Sequence, residues 1–306
     1  MRNILTVNSS PHIRHRDTTK DIMLDVIIAL LPASVNGCLL FGTHALFVLI
    51  ATITFALLSE YIWNLLFKKS QTIGDLSAIV TGLLLGLNLP PTTPIWIASI
   101  GSVIAIIIVK QMFGGIGHNF ANPAITARIV LLISFPTIMT KFSEPLTALT
   151  SATPLASDIS DYSIRTLFFG TYAGTIGETS AFLLLIGALV LFARRIISPI
   201  IPASFIGTVA LLTWISGGDV LRQVLTGGLI LAAFFMATDY ATSPTDALGK
   251  LVFGVGCGLI TFIIRKFGSL PEGVSYAILI MNILVPHIEK LTSHKPFGAK
   301  EALKNE

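Results

Sequence analysis

Long apolar runs alternate with short polar ones along the whole chain. The runs predict ten transmembrane helices, at 22–42, 44–67, 74–90, 95–113, 122–140, 178–193, 199–216, 221–237, 247–264 and 272–289. A helix needs about 20 mostly apolar residues to cross a bilayer, and no soluble core needs so many such stretches. The fold class read from this pattern is an all-α integral membrane protein. Several runs, 74–90 and 122–140 among them, are short or carry Pro or Gly, which predicts broken or strongly tilted helices. Residues 1–21 are polar and basic and lack the short apolar core and small-residue cleavage site of a signal peptide. The first run is therefore expected to be a retained helix.

The two halves of the pattern resemble each other. Asp75 opens a segment that continues with Thr81-Gly82, Thr93-Pro94 and Phe113-Gly114, and Asp219 opens one with Thr226-Gly227, Ser243-Pro244 and Phe267-Gly268. The predicted organisation is a first five-helix repeat at 22–140, a long connection at 141–177, a second five-helix repeat at 178–290, and a tail at 291–306. An odd number of spans per repeat inverts the second half in the bilayer, an architecture common in transporters, whose functional path lies at the repeat interface near the midplane.

Composition supports the membrane reading. The chain is 53% hydrophobic and 12% charged, with a mean hydropathy of +0.82; soluble domains carry roughly 25% charged residues. The net charge of +4 does not point to nucleic acid, because basic residues nowhere alternate with aromatics. It follows membrane orientation instead. With the N-terminus inside, Arg2, Arg14, Arg16, Lys20, Lys68, Lys69, Lys110, Arg194, Arg195, Lys250, Lys290, Lys295, Lys300 and Lys304 fall inside, fourteen of the 20 Lys and Arg. Lys141, Arg165, Arg222, Arg265 and Lys266 fall outside, and Arg128 falls in a span. The positive-inside rule then places both termini in the cytoplasm and 141–177 on the outer face. Cys38 and Cys257 lie in apolar runs, form no CxxC or Cys/His cluster, and read as structural thiols.

No phosphate-binding glycine loop, HExxH or nucleophile elbow is present, so chemistry is expected to come from a bound cofactor or a partner. The informative stretch is Thr150-Ser151-Ala152-Thr153-Pro154-Leu155-Ala156 in the long outer connection. Its small side chains allow close backbone approach to a bulky group, a hydroxyl can carry a phosphoester, and Pro154 keeps the following chain from continuing as helix. Taken alone, it also reads as an ordinary Ser/Thr/Pro loop.

Ser-Ala-Thr-Pro-Leu resembles the flavinylation motif of the Rnf D subunit and of its relative, the B subunit of the Na+-translocating NADH:quinone oxidoreductase. The resemblance extends over nearly the whole chain: Ser9-Ser10-Pro11-His12-Ile13-Arg14, Thr81-Gly82, Leu87-Asn88-Leu89-Pro90-Pro91, Phe113 to Ala124, Gly177-Glu178-Thr179-Ser180 and Met236-Ala237-Thr238-Asp239. It departs at Ser151, where the family often has Gly. The short segment before the first span favours the Rnf side. The resemblance implies two inverted, urea-transporter-like repeats, an FMN joined through its phosphate to Thr153 by a separate flavin transferase, and a place among other Rnf subunits. That complex would couple electron transfer between ferredoxin and NAD to Na+ or H+ translocation. A second, non-covalent flavin such as riboflavin is allowed by analogy with the quinone reductase and required by nothing in the sequence. A urea-transporter-like channel or carrier is the rival reading, since fold does not fix function.

Further candidates follow from position. Glu178, Thr179 and Ser180, where the sixth span leaves the outer loop, are expected either to contact the flavin or to cap that helix. Asp25, Glu60, Asp75 and Asp239 lie toward the inner side; acidic residues at such places are ion-path candidates by default, with Asp239 foremost and Asp25 next, and interfacial charges as the plain alternative. Asp246 is expected to N-cap the ninth span. His118 and Asn119 read as a tight turn, and no metal site is expected.

Overall fold

A computed structural model describes residues 17–145, 150–151, 155, 162–268 and 273–292. Thr153, the side chain of Ser151, and Ser9 to Arg14 lie outside the described residues. Among the described residues the regular structure is helical apart from two short strands.

Helix α1 spans Thr19–Phe41 and begins three residues before the apolar run, because Thr18 and Asp21 form a reciprocal capping box. It shows how these helices are built. Leu24, Ile28, Leu31, Val35 and Leu39 are exposed, while Ala29, Ala33, Ser34 and Gly37 are buried, with Leu30 the one large side chain among the buried residues of this helix. Large apolar side chains facing outward and small ones facing inward suit a lipid surround, where close backbone approach holds helices together. Helix α2 (Thr43–Leu66), with α1, α12 (Ala247–Phe267) and α13 (Val274–Thr292), is long and apolar enough to cross a membrane. The protein is a multi-pass membrane protein.

The shorter spans explain themselves. A 3-10 turn at Ile73–Asp75 leads through left-handed Leu76 into α3 (Ser77–Leu87). Helix α4 (Ile95–Val103) continues as a π-helix over Ile104–Gln111. Helix α5 (Pro123–Ser134) stops before Pro136, which opens the one-turn α6 (Pro136–Met139). Strands β1 (Phe142–Ser143) and β2 (Thr150–Ser151) pair antiparallel, and α7 covers Ile164–Phe169. The second half contains α8 (Ala181–Ala193), α9 (Ile200–Ile215), α10 (Val220–Leu225), and α11 (Leu229–Leu231), which runs on as a π-helix through Met236. The expected single span at 221–237 is thus broken. Gly227 and Gly228 both adopt positive φ, a conformation open to glycine at little steric cost.

Helix α2 packs on α3 and α4 in the first half, as α9 packs on α12 in the second. Helices at corresponding places also meet across the halves, α1 with α8 and α5 with α13. The tight crossings use paired glycines one turn apart. A Cβ at Gly82 would lie 2.8 Å from the backbone of Ile53, and one at Gly86 2.6 Å from Thr52 Oγ1. On α12, a Cβ at Gly254 would meet Ser204 Oγ at 1.9 Å, and one at Gly258 would meet Thr208 Cβ at 2.6 Å. Gly258→Leu is therefore expected to wedge α12 from α9 and cost about 1–3 kcal/mol. Gly207→Leu, on α9 where a Cβ meets open space, should be near neutral. Thermal unfolding of the two variants in detergent checks this, and equal midpoints would refute it.

Candidate functional site

The face where α1 begins is called proximal here, and the opposite face distal. Two polar regions lie along the interface between the halves, one toward each face.

The distal region is built on the strip Gly170–Ser180. Its backbone pairs with the end of α3: Gly177 N–H donates to Leu87 O at 2.8 Å and Ile176 N–H to Leu89 O at 3.1 Å. Carbonyls that a helix end leaves unpaired are thereby satisfied. Gly177 is required there, since a Cβ would stand 2.6 Å from Leu87 Cβ. Glu178, Thr179 and Ser180 are all buried. Ser180, not Glu178, is the N-cap of α8, accepting from Leu183 N–H at 3.4 Å. The Glu178 carboxylate instead lies against Gly174 and Gly228, at the broken start of α11. Tyr172 donates its hydroxyl proton to Glu178 O at 2.9 Å. Thr175 Oγ1 is buried with no hydrogen-bond partner among the described residues.

The chain around the motif is held on both sides. Before it, the backbone of Thr150–Ser151 is laddered to Phe142–Ser143. After it, Leu155 lies over Gly227, where a Cβ would meet Leu155 Cδ1 at 2.3 Å. Arg265 braces that glycine turn, donating to Gln223 O at 2.7 Å and Thr226 O at 2.9 Å.

The proximal region is a cavity of about 100 Å³ between the halves, with Ser77, Lys110, Asn119, Asn122, Thr238 and Asp239 among its walls. Asn122 organises its floor. It caps α5 by accepting from Ala124 N–H at 3.0 Å, donates Nδ2–H to Met236 O at 3.2 Å, and gives its backbone N–H to Asn282 Oδ1 at 3.2 Å. Asn282 in turn donates to Thr242 O at 2.7 Å. Asp239, in the loop after the π-helix, accepts from Thr242 Oγ1 at 3.0 Å. Burial pushes its carboxyl up from the ordinary aspartate value, against the lowering effect of hydrogen bonds from Thr242 and the Ala241 backbone.

Residues 6–298 match the NQR2, RnfD, RnfE family. The chain belongs to that family. It is 47% identical, over 98% of its length and 97% of the relative's, to the D subunit of the Na(+)-translocating ferredoxin:NAD(+) oxidoreductase complex of Acetobacterium woodii. It is 42% identical, over 98% of both chains, to the D subunit of the proton-translocating ferredoxin:NAD(+) oxidoreductase complex of Clostridium ljungdahlii. To the D subunit of the ion-translocating oxidoreductase complex of Stutzerimonas stutzeri it is 37% identical, over 92% of this chain and 93% of that one.

Family membership gives the motif positions a common place. Leu87 and Leu89 pair with Gly177 and Ile176, Asn88 Nδ2 reaches Met236 Sδ at 3.3 Å, and Asn122 holds Met236 O. Stretches far apart in sequence therefore meet at the interface between the halves. One sequence expectation, that for Lys110, needs correction. Asp25 is held by Arg194, whose Nε and Nη2 both donate to Asp25 Oδ2, at 3.0 and 2.9 Å. Asp246 stands at the N-cap of α12 as expected, without a side-chain capping bond. Lys110 is not a cation of the inner loops. It is 2% exposed and paired at 2.8 Å with Glu60, which is 0% exposed. The sequence carries a signal for this pair, because both residues fall inside their own predicted spans, 95–113 and 44–67. Among the described residues, no group of His, Cys, Asp or Glu could hold a metal ion.

Proposed function

We propose that this chain is the membrane flavoprotein subunit of an Rnf-type complex that couples electron transfer between ferredoxin and NAD to movement of Na+ or H+. The observation that carries the reading is the match over 98% of the chain, at 47% identity, to the D subunit of a ferredoxin:NAD(+) oxidoreductase complex. The other subunits of such a complex are its partners, and the chain alone does not turn over.

The same reading assigns an FMN to Thr153 through a phosphoester made by a flavin transferase. The neighbouring described residues fit such a group. The chain is held before the motif by the β-ladder and after it by Leu155 on Gly227, and the buried strip beside α8 holds an unpaired Thr175 hydroxyl able to meet a polar ring edge. Glu178, Thr179 and Ser180 keep that strip polar, and Ser151 supplies a small residue two before the anchor. FMN supplies electron transfer; the protein supplies position and local electrostatics. The distribution of Lys and Arg supports a cytoplasmic proximal face and an external FMN loop. A passive channel has no use for a hydroxyl held in a small-residue outer loop, which favours the redox reading.

The test is direct. Inverted membrane vesicles containing the whole complex are expected to reduce NAD with reduced ferredoxin and to accumulate Na+ or H+ as they do so. Vesicles from cells lacking this chain should do neither. Unchanged activity in the deletion would refute the assignment.

A further inference from the structure

Two cavities flank the loop from Gly114 to Asn119. One is the cavity of about 100 Å³ between the halves, walled in part by Ser77, Lys110 and Asp239. The other, of about 350 Å³, opens at the proximal edge beside the end of α2, where Asn64, Thr72 and His118 line it. The buried Glu60–Lys110 pair stands between them, and hydrogen bonds extend from that pair to both. On the outer side, Asn64 Nδ2 donates to Thr72 Oγ1 at 3.1 Å, and the Thr72 hydroxyl donates to Glu60 Oε1 in a very short bond. In the middle, Lys110 Nζ donates to Glu60 Oε2 at 2.8 Å. On the inner side, Lys110 Nζ donates to Ser77 Oγ at 2.6 Å, and Ser77 donates to Asp75 Oδ1 at 2.5 Å.

A purely structural ion pair needs a carboxylate and an ammonium. It does not need a hydroxyl at each end, each of them lining a separate cavity. Burying both charges also carries a desolvation penalty that packed apolar side chains would avoid. Ionisable groups held inside membrane spans are costly and tend to mark ion or proton routes. The chemistry selects the passenger. A metal cation needs several oxygen ligands, whereas this line supplies one carboxylate, two hydroxyls and a fixed ammonium that repels a cation. Every link is instead a group that can both give and take a proton.

We propose that Thr72, Glu60, Lys110 and Ser77 form a proton relay joining the proximal edge cavity to the cavity between the halves. This rests on the translocase reading above. Thr72 passes its hydroxyl proton to Glu60 Oε1 and takes another from a protonated water in the edge cavity, which is left as neutral water. Lys110 passes one proton to Ser77 Oγ as the Ser77 hydroxyl, turned from Asp75 Oδ1 toward the cavity it lines, releases its own, and the neutral amine then takes the proton from Glu60. One proton enters, one leaves, and the ion pair is restored. The charged groups facing the line are Lys69 and His118 at the edge cavity, Asp75 beyond Ser77, and Asp239 across the inner cavity.

The test uses the whole complex in proteoliposomes, driven by reduced ferredoxin and NAD. A Na+ ionophore is included so that proton movement cannot follow a Na+ gradient. Thr72→Val keeps the ion pair and the side-chain shape but removes the hydroxyl. It is expected to slow proton movement at least about tenfold, the order lost with a proton-transfer group. Electron transfer in detergent should be unchanged, and Thr72→Ser should restore pumping, which a packing defect would not predict. The double variant Glu60→Gln/Lys110→Met should also transfer electrons without moving protons. Wild-type proton movement in Thr72→Val or in the double variant would overturn the relay, as would a wild-type complex that moves Na+ and no protons. A wild-type complex without ferredoxin-dependent NAD reduction would instead overturn the translocase reading, and the relay with it.

Discussion

Thr153→Ala is expected to run on a denaturing gel as a dark band, while the wild type, made in a host with the flavin transferase, fluoresces at the position of a 32.8 kDa chain. A phosphoester survives denaturation, and a flavin held only by packing is lost. The substitution removes one hydroxyl and one methyl group, so protein yield should hold and the optical signal should fall to background. Thr153→Ser keeps a hydroxyl and should retain part of the signal. Because the tether fixes where the cofactor stands, ferredoxin-dependent NAD reduction by the assembled complex should drop by about a hundredfold or more in Thr153→Ala, the order lost when a reacting group is misplaced. A fluorescent Thr153→Ala band would move the anchor elsewhere. A dark wild-type band, with the transferase active on a control protein, would remove the covalent flavin from the proposal.

Much of the fold could be read from the sequence because a bilayer leaves few alternatives. Backbone polar groups must pair within helices, so apolar length marks the spans. The ten predicted runs have helical counterparts from α1 to α13, and the capping pair Thr18 and Asp21 accounts for the early start of the first. The break at Gly227-Gly228 was harder to see, since two glycines in an apolar run also suit close helix packing, as Gly82 and Gly86 demonstrate. The site was legible only in part. Glycines and asparagines such as Gly177 and Asn122 stood out as motif positions, but what they do depends on partners far off in the chain, Leu87 and Met236. Charge near a span end proved ambiguous. Asp25 and Asp239 look alike in sequence, yet one meets Arg194 at the surface and the other faces the cavity. One turn of helix decides between these outcomes, and apolar periodicity does not fix helix rotation when lipid and protein both accept the same side chains.

Lys110→Met is expected to be among the most destabilising single substitutions in the chain, at about 3–5 kcal/mol, because it removes the counter-charge of the buried Glu60 carboxyl. Glu60 is 0% exposed, and its nearest other donor is the Thr72 hydroxyl, which carries no charge. Glu60→Gln should be milder. An amide there is neutral, its oxygen can still accept from Thr72, and the remaining Lys110 keeps Ser77 and the edge of a cavity. The double variant Glu60→Gln/Lys110→Met removes both charges and fills the space with a flexible apolar chain. It should recover most of the loss and could match the wild type, since replacing a buried ion pair with packed side chains is often neutral or stabilising. Thermal unfolding in detergent, followed through the 3 tryptophans, compares the four proteins. A double-mutant cycle then isolates the coupling between the two charges. Equal destabilisation in Lys110→Met and in the double variant would show that Lys110 matters for packing and not for the charge of Glu60. A large coupling energy, with a double variant as stable as the wild type, would show that the fold does not require the pair. Its retention in a membrane interior would then have to come from what the two charges do.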